Sequence, residues 1–233
     1  FALADTEQLA DSGVDRRAMA EQLLRSFLDQ VLGAGFFHAD PHPGNLFELP
    51  DGRLCFHDFG TIGFLDPASR TAFAQLIEGL VVDDAPTVLD GVVAMGFITG
   101  PIDRRVYVRA ISEILSSLAT LPLNEWSMAD AIWRVARIGA GEHFRLPRHL
   151  LVLLRTLFLV ENTLRALDPD LDLMQALGAR ARHMARGDAA KVGGRCEVVV
   201  GPARQAAEGG AGGIDVWFAY LAKAVVVMPG GFG

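Results

Sequence analysis

The sequence predicts a mainly α-helical fold with one small β-hairpin. Three observations lead to this fold class: an apolar stripe at helical spacing near the N-terminal end, a turn sequence between two short apolar stretches at 46–57, and a series of helix-start signals after residue 66. Hydrophobic residues make up 51% of the 233 residues, which is enough for a sizeable core and excludes a wholly disordered chain.

The first predicted helix spans residues 16–32. Its apolar stripe consists of Met19, Leu23, Phe27 and Val31. Asp15 is a suitable N-cap for this helix, and Gly33 and Gly35 provide a stop signal. The following residues 36–45 contain two prolines and a glycine, so a helix cannot continue through them.

The predicted hairpin spans residues 46–57. Short apolar strands at 46–49 and 54–57 flank the turn sequence Pro50-Asp51-Gly52-Arg53. After the hairpin the sequence predicts six helices, starting with Pro67 behind the N-cap Asp66. Their expected ranges are 67–82, 84–96, 101–120, 125–138, 147–167 and 168–186.

The last part of the chain, residues 187–233, is glycine-rich and predicts a linker or a disordered tail. Within it, residues 214–228 are the one segment that predicts a secondary-structure element. Trp217, Phe218 and Tyr220 lie there close to Lys223, a composition that favours a short amphipathic helix at a membrane interface. The sequence therefore divides into a folded unit at 1–186 and a tail at 187–233.

Composition and charge exclude several classes of protein. The chain has 28 acidic and 21 basic residues, a net charge of −7, which argues against a nucleic-acid binder. Two cysteines exclude a disulfide scaffold and a CxxC zinc site, and they favour a reducing, cytoplasmic compartment. No apolar run reaches the ~18 residues of a membrane span; the stretch 150–160 contains Arg155 and predicts a buried core helix instead.

The side chains that are suited to catalysis or metal binding lie on both sides of the hairpin. Asp40 and Asn45 precede it, and Asp58 follows it directly. Because a hairpin returns the chain to its starting point, we expect these three side chains to lie close together. Their oxygens are hard donors that suit Mg²⁺, which proteins commonly hold with one or two side chains and the phosphates of a substrate.

The same spacing is that of a kinase catalytic apparatus. His38-Ala39-Asp40 lies where the catalytic loop has its proton-accepting Asp, Asn45 lies where the metal-binding Asn is found, and Asp58-Phe59-Gly60 is a DFG motif. His38 is a candidate catalytic residue, although hydrogen bonding within the loop is the favoured role. Asn45, Asp58 and Gly60 are the candidate cofactor-binding residues, and Gly60 is expected to serve the conformation of the backbone.

The stretch 37–45 resembles the catalytic loop of the UbiB (AarF/ADCK-type) atypical kinase family, and the sequences at 52–63 and 146–170 are similar to it as well. The resemblance covers roughly residues 5–186. It implies a protein-kinase-like C-terminal lobe, binding of ATP and Mg²⁺, and a link to isoprenoid quinone or lipid metabolism. By position it makes Asp40 the catalytic Asp and Asn45 and Asp58 the metal ligands.

The resemblance also implies what this chain does not contain. We expect from it that the N-terminal lobe of the family is absent from this chain, since Lys191 and Lys223, the two lysines, lie in the tail. We therefore expect a fragment that is inactive on its own, from a parent protein that is cytoplasmic or peripheral at the inner membrane, with membrane lipid or quinone-pathway proteins as partners.

Two alternatives remain open. Small-molecule phosphotransferases of the aminoglycoside or choline kinase type share the HxDxHxxN loop, but they usually lack a glycine like Gly60 after the second Asp. A pseudokinase regulator that binds nucleotide without turnover would keep the same metal ligands.

Overall fold

The computed structural model describes residues 3, 15–50, 52–118, 127–139, 145–171, 177, 197–200 and 224–227. Helices dominate this part of the chain. The six α-helices are α1 (Arg16–Leu28), α2 (Pro67–Val81), α3 (Ala85–Ala94), α4 (Arg104–Leu118), α5 (Met128–Ala136) and α6 (Arg148–Leu167). A π-helical segment, Asp29–Ala34, extends α1 up to Gly35, whose φ of 71° ends it in the left-handed region.

Among the described residues, six short strands form two antiparallel sheets. They are β1 (Phe36–His38), β2 (Leu46–Glu48), β3 (Leu54–Phe56), β4 (Ile62–Phe64), β5 (Glu197–Val200) and β6 (Ala224–Val227). Strand β1 pairs with β4, with Phe36 opposite Phe64 and His38 opposite Ile62. The second sheet has the order β2-β3-β6-β5.

The predicted mainly helical fold is confirmed, and helices α1 to α6 fall within or close to their expected ranges. The N-caps are where the sequence indicates them: the Asp15 carboxylate accepts from the Ala18 N–H, and the Asp66 carboxylate accepts from the Ala68 and Ser69 N–H groups. The hairpin is formed by β2 and β3, with Leu46 opposite Phe56.

Three expectations need correction. The sequence predicts one hairpin, whereas β1 and β4 form a separate small sheet and the hairpin belongs to a four-stranded one. The tail contains strands β5 and β6 where the sequence indicates a linker and a helix at 214–228; their runs of valine have high β propensity. Residues 168–171 are not helical, because Asp168 caps the end of α6. The aromatic residues of the tail and most of 172–186 lie outside the described residues.

The core forms where α1 and α6 pack together beneath the hairpin. The two helices contribute side chains that are almost completely buried: Leu23, Phe27, Leu150, Leu153, Leu157 and Val160. The prediction that α6 is a core helix is confirmed on this face. None of the helices in the described ranges is long and apolar enough to cross a membrane.

Helices α2 and α3 cross at unusually close range through two glycines. A Cβ on Gly79 would lie 2.7 Å from the backbone nitrogen of Val88, and one on Gly91 would lie 2.8 Å from the backbone nitrogen of Leu76. Each glycine thus makes room for the backbone of the other helix.

Candidate functional site

Backbone hydrogen bonds bring the two halves of the candidate site together. Strand β1, which leads into Asp40, pairs with β4, and beyond the strands the Ala39 N–H donates to the Thr61 carbonyl at 3.1 Å. On the other side, the His57 N–H donates to the Asn45 carbonyl at 2.9 Å. The predicted return of the chain is therefore confirmed for the backbone: the residue before Asp58 is bonded to Asn45.

His38 connects the catalytic loop to the residues of the DFG motif. Its ring is 2% exposed, its Nε2 lies 2.9 Å from the His57 carbonyl, and its Nδ1 lies 3.2 Å from the Asp40 N–H. Since the amide N–H can only donate, Nδ1 accepts and Nε2 carries the proton. Burial lowers the pKa of His38, which favours this neutral form. Both ring nitrogens are engaged, which favours the structural role of His38 over the catalytic one.

Phe59 packs against the same imidazole. The ring centroids of His38 and Phe59 are 4.7 Å apart in an edge-to-face arrangement. Phe59 is half-buried against the core, whereas Asp58 and Gly60 on either side of it are exposed. The aromatic side chain anchors the DFG segment, so that the neighbouring carboxylate is presented to solvent.

Asp58 has a backbone conformation that suits a short turn. Its φ of 57° lies in the left-handed region, which Asp tolerates better than most residues. The carboxylate Oδ1 accepts from the Gly60 N–H at 3.1 Å, and a Cβ at position 60 would lie 3.0 Å from that oxygen. Gly60 therefore keeps the turn compact, and Oδ2 of Asp58 is the carboxylate oxygen outside this bond.

Asn45 is oriented by the catalytic loop. Its Nδ2 donates to the Asp40 carbonyl at 3.1 Å, and its side chain is buried. With the amide nitrogen engaged, the amide oxygen is the atom that remains for a ligand. Asn45 and Asp58 thus offer hard oxygen donors of the type that Mg²⁺ prefers.

A protein cage for the metal is not formed here. Within the part of the chain that the structure describes, no group of three or more His, Cys, Asp or Glu side chains is arranged to hold a metal ion. The donor set fits a Mg²⁺ ion that also takes oxygens from water and from substrate phosphates, because Mg²⁺ commonly retains such ligands.

Asp40 faces a cation from a distant part of the chain. Arg155 on α6 places its Nη2 3.1 Å from Oδ1 of Asp40, and Nε2 of His42 lies 3.9 Å from Oδ2. The side chain of Asp40 is 30% exposed. In the sequence Arg155 interrupts an apolar run, and nothing in the local sequence reveals a contact across 115 residues.

Helix α6 also fixes the backbone of the catalytic loop. The Thr156 hydroxyl lies 3.1 Å from the Ala39 carbonyl, and the Thr163 hydroxyl lies 3.4 Å from the Pro41 carbonyl. Each hydroxyl also lies closer to a carbonyl of its own helix, at 2.8 Å and 2.9 Å, so its single hydrogen is shared between the helix and the loop. Both side chains are buried, so these bonds are shielded from water. From the other side, the Gln30 side-chain oxygen accepts from the His38 N–H at 2.8 Å. The loop before the hairpin is thus held by two helical segments.

A search of family models matches two segments of the chain. Residues 1–91 match the ABC1 atypical kinase-like domain, and residues 111–172 match the UbiB helical domain. The first match contains all the predicted site residues. The second contains α6, which supports the catalytic loop.

Curated relatives agree with these matches. An uncharacterized protein of Synechocystis sp. is 30% identical over 72% of this chain. Two Arabidopsis thaliana proteins named ACTIVITY OF BC1 COMPLEX KINASE 8 and 1, both chloroplastic, are 29% and 25% identical over 77% and 73% of the chain. The chain spans 29%, 28% and 25% of the length of these three relatives. On its sequence and on these matches, the chain belongs to the ABC1/UbiB family of atypical kinase-like proteins.

Proposed function

We propose that this chain is the C-terminal lobe of an atypical kinase or ATPase and that it carries the metal ligands and the catalytic Asp of a Mg·ATP site. The observation that supports this most directly is the His38 ring, which bonds to the Asp40 N–H and to the His57 carbonyl. One buried side chain thereby fixes the distance between the catalytic loop and the DFG segment.

In this proposal each residue has a distinct task. The amide oxygen of Asn45 and the carboxylate of Asp58 hold Mg²⁺, which neutralises charge on the phosphates when nucleotide is bound. Asp40 orients the hydroxyl of an acceptor or a water molecule and takes its proton. Gly60 and Phe59 keep Asp58 in place, and His38 keeps the two segments in register.

The ion pair with Arg155 affects how Asp40 can act as a proton acceptor. Its guanidinium neutralises the carboxylate in the present structure, so Asp40 has to exchange this partner for the acceptor hydroxyl during a reaction. Because the two side chains of the pair are 60% and 30% exposed, the ion pair is weak enough to open, at about 1 kcal/mol or less.

The first test is nucleotide binding by the chain itself. Backbone NMR shifts of residues 38–60 are followed during titration with ATP in the presence of Mg²⁺ and, separately, of EDTA. Since two metal ligands supply only part of the contacts that position a nucleotide, we expect millimolar affinity, about −4 kcal/mol, in Mg²⁺. In EDTA the shifts should be absent.

Variants distinguish the proposed roles. Asp58→Asn should abolish the Mg²⁺-dependent shifts, whereas Asp40→Asn should leave them in place and lower turnover in the longer parent protein. Asp90→Asn is the matched control, because Asp90 is an exposed carboxylate on α3 that pairs with Arg104. Shifts that persist in Asp58→Asn, or that are equal in EDTA, contradict the metal assignment. Binding without any turnover in the parent protein would favour a pseudokinase regulator.

The wider role is also a proposal. By its family resemblance we propose that the parent protein acts in isoprenoid quinone or lipid metabolism, with membrane lipid or quinone-pathway proteins as partners. Deleting the parent gene and measuring cellular quinone content tests this link: a fall that the wild type restores and Asp58→Asn does not would support it, and an unchanged content would contradict it.

A further inference from the structure

A groove with an unusual lining lies between α5 and α6. Its volume is about 670 Å³, within the range of pockets that hold small organic molecules. Apolar side chains form most of its wall: Trp133, Leu151, Leu154 and Phe158. Leu151 and Phe158 are each 53% exposed, so water contacts apolar surface that a ligand could cover.

The charged groups in the groove favour an anion. Arg155 and Arg165 contribute two cations to its lining, and Asp130 contributes one carboxylate. Asp130 is already paired with Arg134 on its own helix, at 2.6 Å. The guanidinium of Arg155 is the group that the groove shares with the candidate active site, because it also contacts Asp40.

We propose that this groove binds a small, freely dissolved amphiphilic carboxylate. The apolar part of the ligand packs against Trp133 and Phe158, and its carboxylate takes the guanidinium of Arg155 from Asp40. Guanidinium and carboxylate match in geometry and can form two parallel hydrogen bonds. The existing partner holds Arg155 through one oxygen, Oδ1 of Asp40, in a half-exposed pair that is easily exchanged.

The exchange makes the groove an effector site for Asp40. A ligand that occupies Arg155 releases the Asp40 carboxylate, and by thermodynamic linkage any change that frees Arg155 must strengthen ligand binding. This inference goes beyond the proposed phosphoryl transfer and does not depend on it. It requires only the groove and the ion pair.

Three probes with the same tail and different heads test the proposal on the whole chain. Octanoate, octanol and octylammonium are titrated below their micelle concentrations, and the Trp133 indole and the amides of residues 151–158 are followed by NMR. Octanoate should bind about tenfold more tightly than octanol, as a charge-assisted hydrogen bond implies, and octylammonium should bind more weakly than either. Equal affinity of octanoate and octanol would overturn the proposal.

Two variants move the affinity in opposite directions. Arg155→Gln should remove the preference for octanoate over octanol, whereas Asp40→Asn, which removes the competing carboxylate, should tighten octanoate binding several-fold. Arg109→Gln is the matched control, because Arg109 lies on α4 and pairs with Glu113. If Arg155→Gln does not fold, the Asp40→Asn comparison still decides: unchanged or weaker octanoate binding in that variant contradicts the competition.

Discussion

Replacement of Glu161 should reveal how strongly a buried carboxyl group secures the start of α5. Glu161 lies on α6 and is 1% exposed. Its Oε1 accepts from the Met128 N–H at 2.6 Å and from the Ala129 N–H at 3.2 Å, and its Oε2 accepts from the Ser127 hydroxyl at 2.6 Å. A side chain of one helix therefore satisfies the free N–H groups at the start of another.

The magnitude follows from what each substitution leaves unsatisfied. Glu161→Leu leaves two buried N–H groups without an acceptor, and each costs about 1–3 kcal/mol of stability. Burial of the apolar leucine side chain offsets part of this loss. We expect a net loss of about 3 kcal/mol in the free energy of unfolding. Glu161→Gln keeps an oxygen for the same N–H groups and should lose about 1 kcal/mol. Urea denaturation followed by circular dichroism measures both values.

The pH dependence provides an independent check. Burial raises the pKa of Glu161, against the lowering effect of its hydrogen bonds to Ser127, Ala129 and Met128. A carboxyl whose pKa is higher in the folded state binds more protons there, so its contribution to stability is complete below the unfolded pKa of about 4.3 and declines as the pH rises through the folded pKa. The advantage of the wild type over Glu161→Gln should therefore shrink between acidic and neutral pH.

The control for this series is Glu113→Gln on α4, an exposed member of an i,i+4 pair with Arg109. Its effect should stay below about 0.5 kcal/mol at every pH. A cost for Glu161→Leu as small as that of the control would refute the capping role. An advantage over Glu161→Gln that grows with pH would refute the sign of the pKa argument.

Two further predictions concern packing and the catalytic loop. Gly91→Ala should cost about 2 kcal/mol in the free energy of unfolding and lower the melting temperature by several degrees, because its Cβ meets the Leu76 backbone. The control Gly33→Ala should be almost neutral, because no atom lies within 4 Å of its Cβ. Equal melting temperatures of the two variants would contradict the close crossing. Acidification should destabilise the chain through His38: its lowered pKa gives stability that is present above the unfolded pKa of about 6.5 and is lost as the pH falls through the folded pKa. His38→Gln should remove this loss in urea titrations, whereas His149→Gln, on an exposed residue, should retain it.

Local patterns in the sequence were sufficient for the helices and for the backbone around the candidate site. The caps Asp15 and Asp66 act on N–H groups two or three residues away, and the turn before Arg53 joins adjacent strands, so each signal is contained in a short segment. The hydrogen bond between the His57 N–H and the Asn45 carbonyl follows from that hairpin alone.

Contacts between distant segments could not be predicted in this way. The pairing of β1 with β4 depends on two segments of three residues each, too short for a periodic pattern. The pairing of β6 with β3 joins Phe56 to Val226 across the whole helical region. Arg155 and Glu161 look like ordinary breaks in an apolar helix, because their partners are on other elements. Such roles depend on the folded arrangement of helices, which the sequence of α6 does not encode on its own.

The threonine bonds from α6 have a consequence for how this family is divided into domains. Thr156 and Thr163 fall within the match to the helical domain, at 111–172, whereas the carbonyls of Ala39 and Pro41 that they bind fall within the kinase-like match, at 1–91. The two matched segments are therefore separate in sequence and continuous in structure. A graft that exchanged the helical segment between relatives would also exchange the support of the catalytic loop, so the two segments are expected to be inherited together.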